Sequence, residues 1–228
     1  MKPELVEPGH TAVLTMEMQR GVVGELSTMD SLVAEVAASG TIERTARLAG
    51  AARGAGVRVV HCTAEFRPDL AGTALNSPLI AVLARRPDQL RVGAPSTEVV
   101  PEIGLHEADL VVPRRHGVSP FTGTSLDATL RNLGVTTVVA TGVSVNLAIV
   151  GLCIEAVNLG YQVVLATDAV AGVPRDYAAA VMENTLSLLA TRATVDDIVG
   201  AWRTADTAGG GDGVPPGAAT PPTNEVRA

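Results

Sequence analysis

The chain has 228 residues, of which 46% are hydrophobic and 18% charged, a composition that favours one compact domain and excludes a chain disordered throughout. Aromatic residues make up 2% of the chain and the formal net charge is −7, which argues against nucleic-acid binding. The two cysteines, Cys62 and Cys153, show neither metal-ligand spacing nor a dense disulfide pattern, as is usual for a reduced, cytoplasmic protein.

The first predicted element is a buried strand over residues 12–16, within TAVLTMEMQRG. This run is too continuously apolar for a strand with one exposed face. Glu17 follows where the run ends. A carboxylate that emerges from a core needs either a charged partner or a chemical role, so Glu17 is the first candidate site residue.

Further valine-rich runs alternate with helical patterns along the rest of the chain. The strand runs are VRVVHC at 57–62, DLVVP at 109–113, TTVVAT at 136–141, YQVVLAT at 161–167 and a short last strand in TRATVDDIV. Helices are predicted at about 40–52, from near 125, at 146–159 and at 174–190. The alternation predicts an α/β, doubly wound, Rossmann-like fold that binds its ligand beyond the carboxyl ends of the strands.

Three other segments bear on the domain organisation. Residues 64–107 are rich in Pro and Gly, with a helical piece at about 78–85; this insertion is too long for a plain connection and should cover part of the site. Residues 132–154 carry no formal charge but contain Thr, Gly, Ser and Asn, so they favour strand, turn and buried helix over a membrane span. We expect a domain over 1–204 and a disordered Gly/Pro-rich tail over 205–228.

The start of the chain, MKPELVEPGHT, has acids and prolines where a signal peptide has a basic start followed by an apolar stretch. We therefore expect no export signal and a cytoplasmic location. The expected partner is a small-molecule substrate, with no nucleic acid and no membrane.

The segments LTMEMQRG, RRHGVSPFTGTSLDATLRNLG and VVATGVSVNLAIVGLCIEAVNLGYQVVLATDAVAG strongly resemble the isochorismatase-like hydrolases, a superfamily that includes nicotinamidases and many cysteine amidohydrolases. The resemblance covers about residues 11–199. It implies a three-layer fold with six parallel strands in the order 3-2-1-4-5-6 and helices on both faces. It also implies a homo-oligomer, either a dimer or a tetramer.

Cysteine members of this superfamily use an aspartate after strand one, a lysine after strand three and a nucleophilic cysteine at the helix start after strand four. The matching residues here are Glu17, Arg115 and Ala148. A methyl group cannot attack a carbonyl, so the covalent amidase route is not expected. Glu17 and Arg115 keep the sign of each charge, and they either form a structural ion pair or act on a ligand.

Some members that lack the cysteine hydrolyse a vinyl ether, where an acid protonates the alkene and water adds to the cation. The resemblance therefore suggests a hydrolase of a small organic substrate, with Glu17 as general acid/base and Arg115 as anion clamp. The alternative is a catalytically inactive small-molecule-binding protein on the same fold. Cys62 is either a substitute thiol near the crevice or a small buried hydrophobe, whereas Cys153 should face away.

Five more residues are candidates for substrate binding. The resemblance places Val143 and Ser144 in the turn before the nucleophile position, joined by a cis peptide, and Phe121 beside the site. His116 and Glu65 follow the third and second strands, respectively. The ordinary alternatives are a core phenylalanine, a loop histidine and a solvated loop glutamate. HCTAEFRP lacks the aspartate and two histidines of the metal-dependent nicotinamidases, so we expect no metal and no other cofactor.

Overall fold

The computed structural model describes residues 1–86 and 89–208. Six parallel strands form one sheet in the order β3-β2-β1-β4-β5-β6. The strands are β1 (Thr11–Met16), β2 (Arg58–Ala64), β3 (Leu110–Arg114), β4 (Thr137–Val143), β5 (Gln162–Ala171) and β6 (Thr191–Ala193). The predicted fold class and strand order are therefore confirmed.

Seven α-helices within the described ranges cover the two faces of this sheet. They are α1 (Asp30–Ser39), α2 (Thr41–Gly54), α3 (Pro78–Ala84), α4 (Leu126–Asn132), α5 (Val150–Asn158), α6 (Arg175–Asn184) and α7 (Val195–Ala208). Helices α1, α2 and α7 share one apolar core with the sheet, and α4, α5 and α6 share the other. None of the helices in the described part of the chain is long and apolar enough to cross a membrane.

The central strand β1 shows why the sheet is buried on both faces. All six of its residues are buried. Val13 packs into the core that contains α2, whereas Leu14 and Met16 pack into the core that contains α5, as the alternation of side chains along a strand requires. Burial of each such Val, Leu or Met contributes about 1.5–3 kcal/mol. The charged residue that follows β1 therefore emerges at the edge of a sheet that is enclosed by helices.

The sequence pattern does not predict α1 or α7. Helix α7 begins directly after Thr194, whose backbone N–H donates to Asp197 Oδ2 at 2.9 Å, while the Asp197 backbone N–H donates to Thr194 Oγ1 at 3.2 Å. This reciprocal pairing is that of a capping box, with Asp in the place of the usual Glu. Helix α7 continues to Ala208. Residues 209–228 lie outside the described residues, so the disordered tail stays a prediction.

A buried polar network joins β1, β2 and the segment before β3. His61 is hydrogen-bonded through Nδ1 to Thr15 Oγ1 at 2.7 Å and through Nε2 to Asp109 Oδ2 at 3.1 Å. Arg53 of α2 donates to both oxygens of Asp109, at 3.1 Å and 2.6 Å. Burial lowers the pKa of His61, against the opposing effect of the Asp109 carboxylate. The neutral imidazole is therefore the form that the fold stabilises.

We expect the free energy of unfolding to decrease as the pH falls below about 6.5, the ordinary pKa of histidine. The folded state binds this proton only at lower pH than the unfolded chain does, so the unfolded chain gains protons first and is favoured. His61→Gln should reduce the loss of stability between about pH 7 and pH 5. Urea unfolding of both proteins across that range measures it, and equal pH slopes would contradict the assignment.

Gly142, near the end of β4, allows β4 to approach β1 closely at the carboxyl edge of the sheet. Its φ is +105°, and the register of β4 against β5 shifts beside it. A Cβ at this position would lie 2.2 Å from the Met16 carbonyl oxygen of the neighbouring strand. No side chain fits there without displacing β1, so glycine is required by both conformation and close packing.

Gly142→Ala should destabilise the protein by at least about 2 kcal/mol, because backbone strain and steric overlap add. Gly50→Ala is the matched control: Gly50 lies in α2, is exposed, and a Cβ added there would meet nothing within 4 Å outside its own helix backbone. That replacement should stabilise the helix by about 0.5–1 kcal/mol. Thermal or urea unfolding measures the stability of both variants. An unchanged stability for Gly142→Ala would show that β1 can move aside.

Candidate active site

A cavity of about 350 Å³ lies at the carboxyl edge of the sheet. Glu17 follows β1, Ala64 ends β2, Arg114 ends β3 and Ser144 follows β4, and all four line the cavity. Strand ends from the middle of a doubly wound sheet are expected to meet at one crevice. The cavity therefore lies at the edge of the sheet where the sequence predicts the site.

Glu17 and Arg114 form an ion pair inside this cavity. Glu17 adopts a left-handed backbone conformation, with φ +53°, and its backbone N–H donates to the Cys62 carbonyl at 2.9 Å. Arg114 donates from Nη2 to Glu17 Oε1 and from Nε to the Gly117 carbonyl at 3.0 Å. Arg114 is 7% exposed, and its Nη1 is buried without a hydrogen-bond partner among the described residues. One donor group of the guanidinium thus remains without a hydrogen bond in the described chain.

The prediction that Arg115 lies in the site is wrong in position. Arg115 is about half exposed and contacts Glu65, with 3.4 Å between Nη2 and Oε1. Successive side chains of a strand point to opposite faces, so the inward position of Arg114 places Arg115 outside. Arg114 therefore fills the place that the resemblance gives to a cation after strand three.

Two other predicted site residues do line the cavity. Ser144 and Ala148 are both among the lining residues, and Ala148 is buried. The peptide bond between Val143 and Ser144 is cis, as the resemblance implies. Val143 itself is fully buried in the apolar core next to α2, so it shapes the turn but does not line the cavity.

The remaining three candidates for substrate binding lie elsewhere. Phe121 packs in the core that contains α5, with its ring centroid 5.9 Å from that of Tyr161. His116 accepts a hydrogen bond from the Ala74 backbone N–H at 3.3 Å. Glu65 pairs with Arg115, away from the cavity. None of the three lines the cavity, so each position fits its ordinary structural alternative, and a role in substrate binding stays a prediction.

Both cysteines are buried and neither lines the cavity. Burial raises the pKa of Cys62 to about 12, although the nearby Arg114 opposes this and Glu17 reinforces it. Burial also raises the pKa of Cys153 to about 12. A thiol that stays protonated at neutral pH is a poor nucleophile. Cys62 therefore fits its alternative as a small buried hydrophobe.

The sequence does not single out Asn146 or the apolar cover of the cavity. Asn146 lies in the π-helical turn Val145–Ile149 that precedes α5, lines the cavity, and has a buried Oδ1 with no hydrogen-bond partner in the described chain. Its place just before Ala148 in TGVSVNLA is a signal that could have identified it. Leu79, Ile80 and Leu83 of α3 form part of the wall, so the 64–107 insertion covers part of this cavity.

The charges in the described lining of the cavity are limited to one pair of opposite sign. Glu17 and Arg114 are the only charged residues in its described lining, and they are paired with each other. The helical segment that begins at Val145 places its first turn, with Asn146 and Ala148, at the wall. A helix N-terminus carries partial positive charge and stabilises a negatively charged oxygen. The polar end of the cavity can therefore bind a carbonyl and stabilise charge that develops on its oxygen.

The chain is similar in sequence to proteins of one known family. A family model described as the isochorismatase domain matches residues 11–197. The uncharacterized isochorismatase family protein YwoC of Bacillus subtilis is 42% identical over 72 residues, which make up 32% of this chain and 38% of that protein. Ureidoacrylate amidohydrolase RutB of Agrobacterium fabrum is 26% identical over 212 residues, covering 87% of this chain and 92% of that protein.

Solved structures share the same fold. An isochorismatase family protein from Burkholderia thailandensis superposes with a TM-score of 0.69 at 24% identity, covering 89% of this chain and 97% of that one. A cysteine hydrolase from Pseudomonas syringae pv. phaseolicola gives a TM-score of 0.70 at 22% identity, covering 90% and 95%. At these identities the likeness concerns the architecture.

The burial of the thiols leads to a chemical prediction. Cys62 and Cys153 should both resist iodoacetamide at about pH 8 in the folded protein, because both are buried and protonated, and both should react once urea unfolds the chain. Intact-mass measurement before and after unfolding gives the result. Rapid modification of Cys62 in the folded protein would instead reveal an accessible thiolate.

Proposed function

Because this chain belongs to the isochorismatase family of hydrolases, we propose that it hydrolyses a small organic molecule without a covalent enzyme intermediate. The observation that carries the proposal is the Glu17–Arg114 ion pair in the same cavity as Ala148. A carboxylate and a cation lie in the same cavity as Ala148, and the described lining contains no thiol. The proposed attacking group is therefore water.

Glu17 is the residue that can handle the proton. Its Oε1 accepts from Arg114, whereas Oε2 makes no hydrogen bond to any described residue, and the side chain is 16% exposed. In the proposed step Glu17 takes a proton from water as the water oxygen bonds to the carbonyl carbon. The same proton then passes to the leaving group as its bond to that carbon breaks, so that Glu17 ends as it began.

Arg114 is the residue that can stabilise the developing charge. Attack by water places negative charge on the carbonyl oxygen, and a guanidinium fixed by Glu17 and Gly117 is already oriented to receive it. This assigns to Arg114 the cationic role that the resemblance gives to Arg115. The helix start at Val145 adds a partial positive charge at the same end of the cavity.

Vinyl ether hydrolysis would use the same two residues in the reverse order. Glu17 would give its proton to the alkene first, and water would then add to the cation. The full-length alignment with an enzyme named ureidoacrylate amidohydrolase favours amides as the first substrates to test. Both routes proceed without a thiol.

A second candidate function is supported by Ala148 alone. A protein that only binds a small molecule needs no nucleophile, so an alanine at that position does not impair its binding. Such a protein would keep the cavity and the ion pair but show no turnover. The two functions therefore differ in activity and not in affinity.

We also propose a cytoplasmic homo-oligomer. Self-association is supported by exposed apolar side chains on α5 and α6, among them Ile154, Val157 and Tyr177. Large apolar side chains exposed on the helices of one layer are typical of surfaces covered by a second copy.

A screen of amides, esters, lactones and vinyl ethers should yield a substrate whose turnover depends on Glu17. Glu17→Gln keeps the shape but cannot transfer the proton, so kcat should fall about a hundred- to ten-thousand-fold. Arg114→Lys should also lower kcat, because a lysine lacks the planar fork that contacts both Glu17 and the substrate oxygen. Steady-state kinetics on the purified variants measures both effects.

The matched control is Arg115→Lys, which alters the exposed neighbour and should leave kcat unchanged. Cys62→Ala should leave activity in place as well. Loss of activity in Cys62→Ala together with full activity in Glu17→Gln would refute the mechanism. Ligand binding without any turnover across the screen would favour the non-catalytic alternative.

A further inference from the structure

We infer that the substrate is an uncharged carbonyl compound with an aliphatic body. Its carbonyl would lie at the Glu17–Arg114 end of the cavity and its hydrocarbon chain beneath α3. This inference rests on the proposed function and names the substrate class of that site. It follows from the size, the lining and the charge of the cavity.

The lining is apolar away from one end. Eleven of its nineteen residues are Val, Leu, Ile, Met or Phe, so most of the wall can offer only apolar contact to a ligand. The cover of the cavity is contributed by α3, with Leu79, Ile80 and Leu83. Apolar ligand surface buried against such a wall adds to the affinity roughly in proportion to its area.

The apolar wall fits an aliphatic chain better than a flat ring. Phe66 is the only aromatic residue of the described lining, so a planar ligand would find no pair of faces between which to stack. Branched and flexible side chains such as those of Leu79 and Leu83 pack well around a flexible chain. At roughly 30 Å³ for each water-sized group, a cavity of about 350 Å³ holds about twelve non-hydrogen atoms.

The charges of the wall exclude a second charge on the ligand. Glu17 and Arg114 neutralise each other, and none of the other lining residues in the described chain is charged. A carboxylate or ammonium on the ligand body would lose its hydration without finding a counter-charge. Two lining residues, Arg114 and Asn146, each have a buried polar atom without a hydrogen-bond partner in the described chain, the donor Nη1 and the acceptor Oδ1. A neutral amide offers the matching pair, a carbonyl that accepts a hydrogen bond and an N–H that donates one.

Two exposed leucines mark where the chain would continue. Leu79 on α3 is 40% exposed and Leu147 in the turn before α5 is 39% exposed, and both line the cavity. Large apolar side chains exposed at the wall of a cavity are expected where a ligand covers them. A hydrocarbon chain that leaves the carbonyl end would contact them.

The test is calorimetric binding of straight-chain primary amides from acetamide to dodecanamide, with the matching carboxylates as a second arm. Affinity for the amides should rise about fourfold for each added methylene, the fold-change that corresponds to ~0.8 kcal/mol per buried group. The rise should stop at about twelve non-hydrogen atoms, when the cavity is full. Each carboxylate should bind more weakly than the amide of the same length.

Leu79→Ser and Leu147→Ser should each weaken the binding of octanamide several-fold and leave that of acetamide unchanged. The matched control is Leu188→Ser, which replaces a leucine that is 83% exposed and lies outside the cavity lining. It should bind octanamide like the unaltered protein. Because all three leucines are exposed, a folding defect is not expected, and a thermal unfolding curve checks this.

Affinity that does not change with chain length, tighter binding of carboxylates than of amides, or no binding of either would overturn the inference. These results are distinct from a failure of the proposed function. Rising affinity with chain length but no hydrolysis would leave the substrate class standing and remove the activity. Hydrolysis of short or charged compounds without any chain-length dependence would support the activity and refute the substrate class.

Discussion

The ion pair between Glu17 and Arg114 is the contact on which the architecture of the site depends. These residues follow or end β1 and β3, which are not neighbours, because β2 lies between them. The pair therefore spans the end of β2. Removal of either partner would leave a largely buried charge alone, which is far more costly than the pair itself. The strand ends and the cavity are thus held in one arrangement.

Hydrogen bonds of the backbone and of the Gln19 side-chain amide also stabilise this arrangement. The Glu17 N–H donates to the Cys62 carbonyl at 2.9 Å, and the Glu65 N–H donates to the Arg114 carbonyl at 3.0 Å. The buried Gln19 amide adds three hydrogen bonds, two of them to the backbone of Ala64, at 2.7 Å and 3.0 Å, and one to the Thr97 carbonyl at 2.9 Å. The insertion that covers the cavity is therefore attached to the same strand ends that carry the charges.

The sequence predicts the sheet well because burial on both faces leaves long apolar runs that require strands. It predicts the site only in part, because one residue of register decides which arginine points inward. The predicted third strand ends at Pro113, whereas β3 ends at Arg114. Burial alternates along β3, with Val112 and Arg114 buried and Val111 and Pro113 exposed. Extension of that alternation by one residue would have identified Arg114.

Ala148 and the leucine and isoleucine side chains of α3 all contribute to the apolar wall of the cavity. With a methyl group at Ala148, the position to which the resemblance gives the nucleophile, the wall next to the ion pair carries no thiol. In such surroundings the field of a fixed guanidinium acts on its target with little screening by solvent. Charge that develops on a bound carbonyl oxygen would then be stabilised by groups that need no rearrangement. Both the absence of a thiol from the described lining and the oriented guanidinium of Arg114 agree with the proposed attack by water, which needs an oriented cation and no covalent partner.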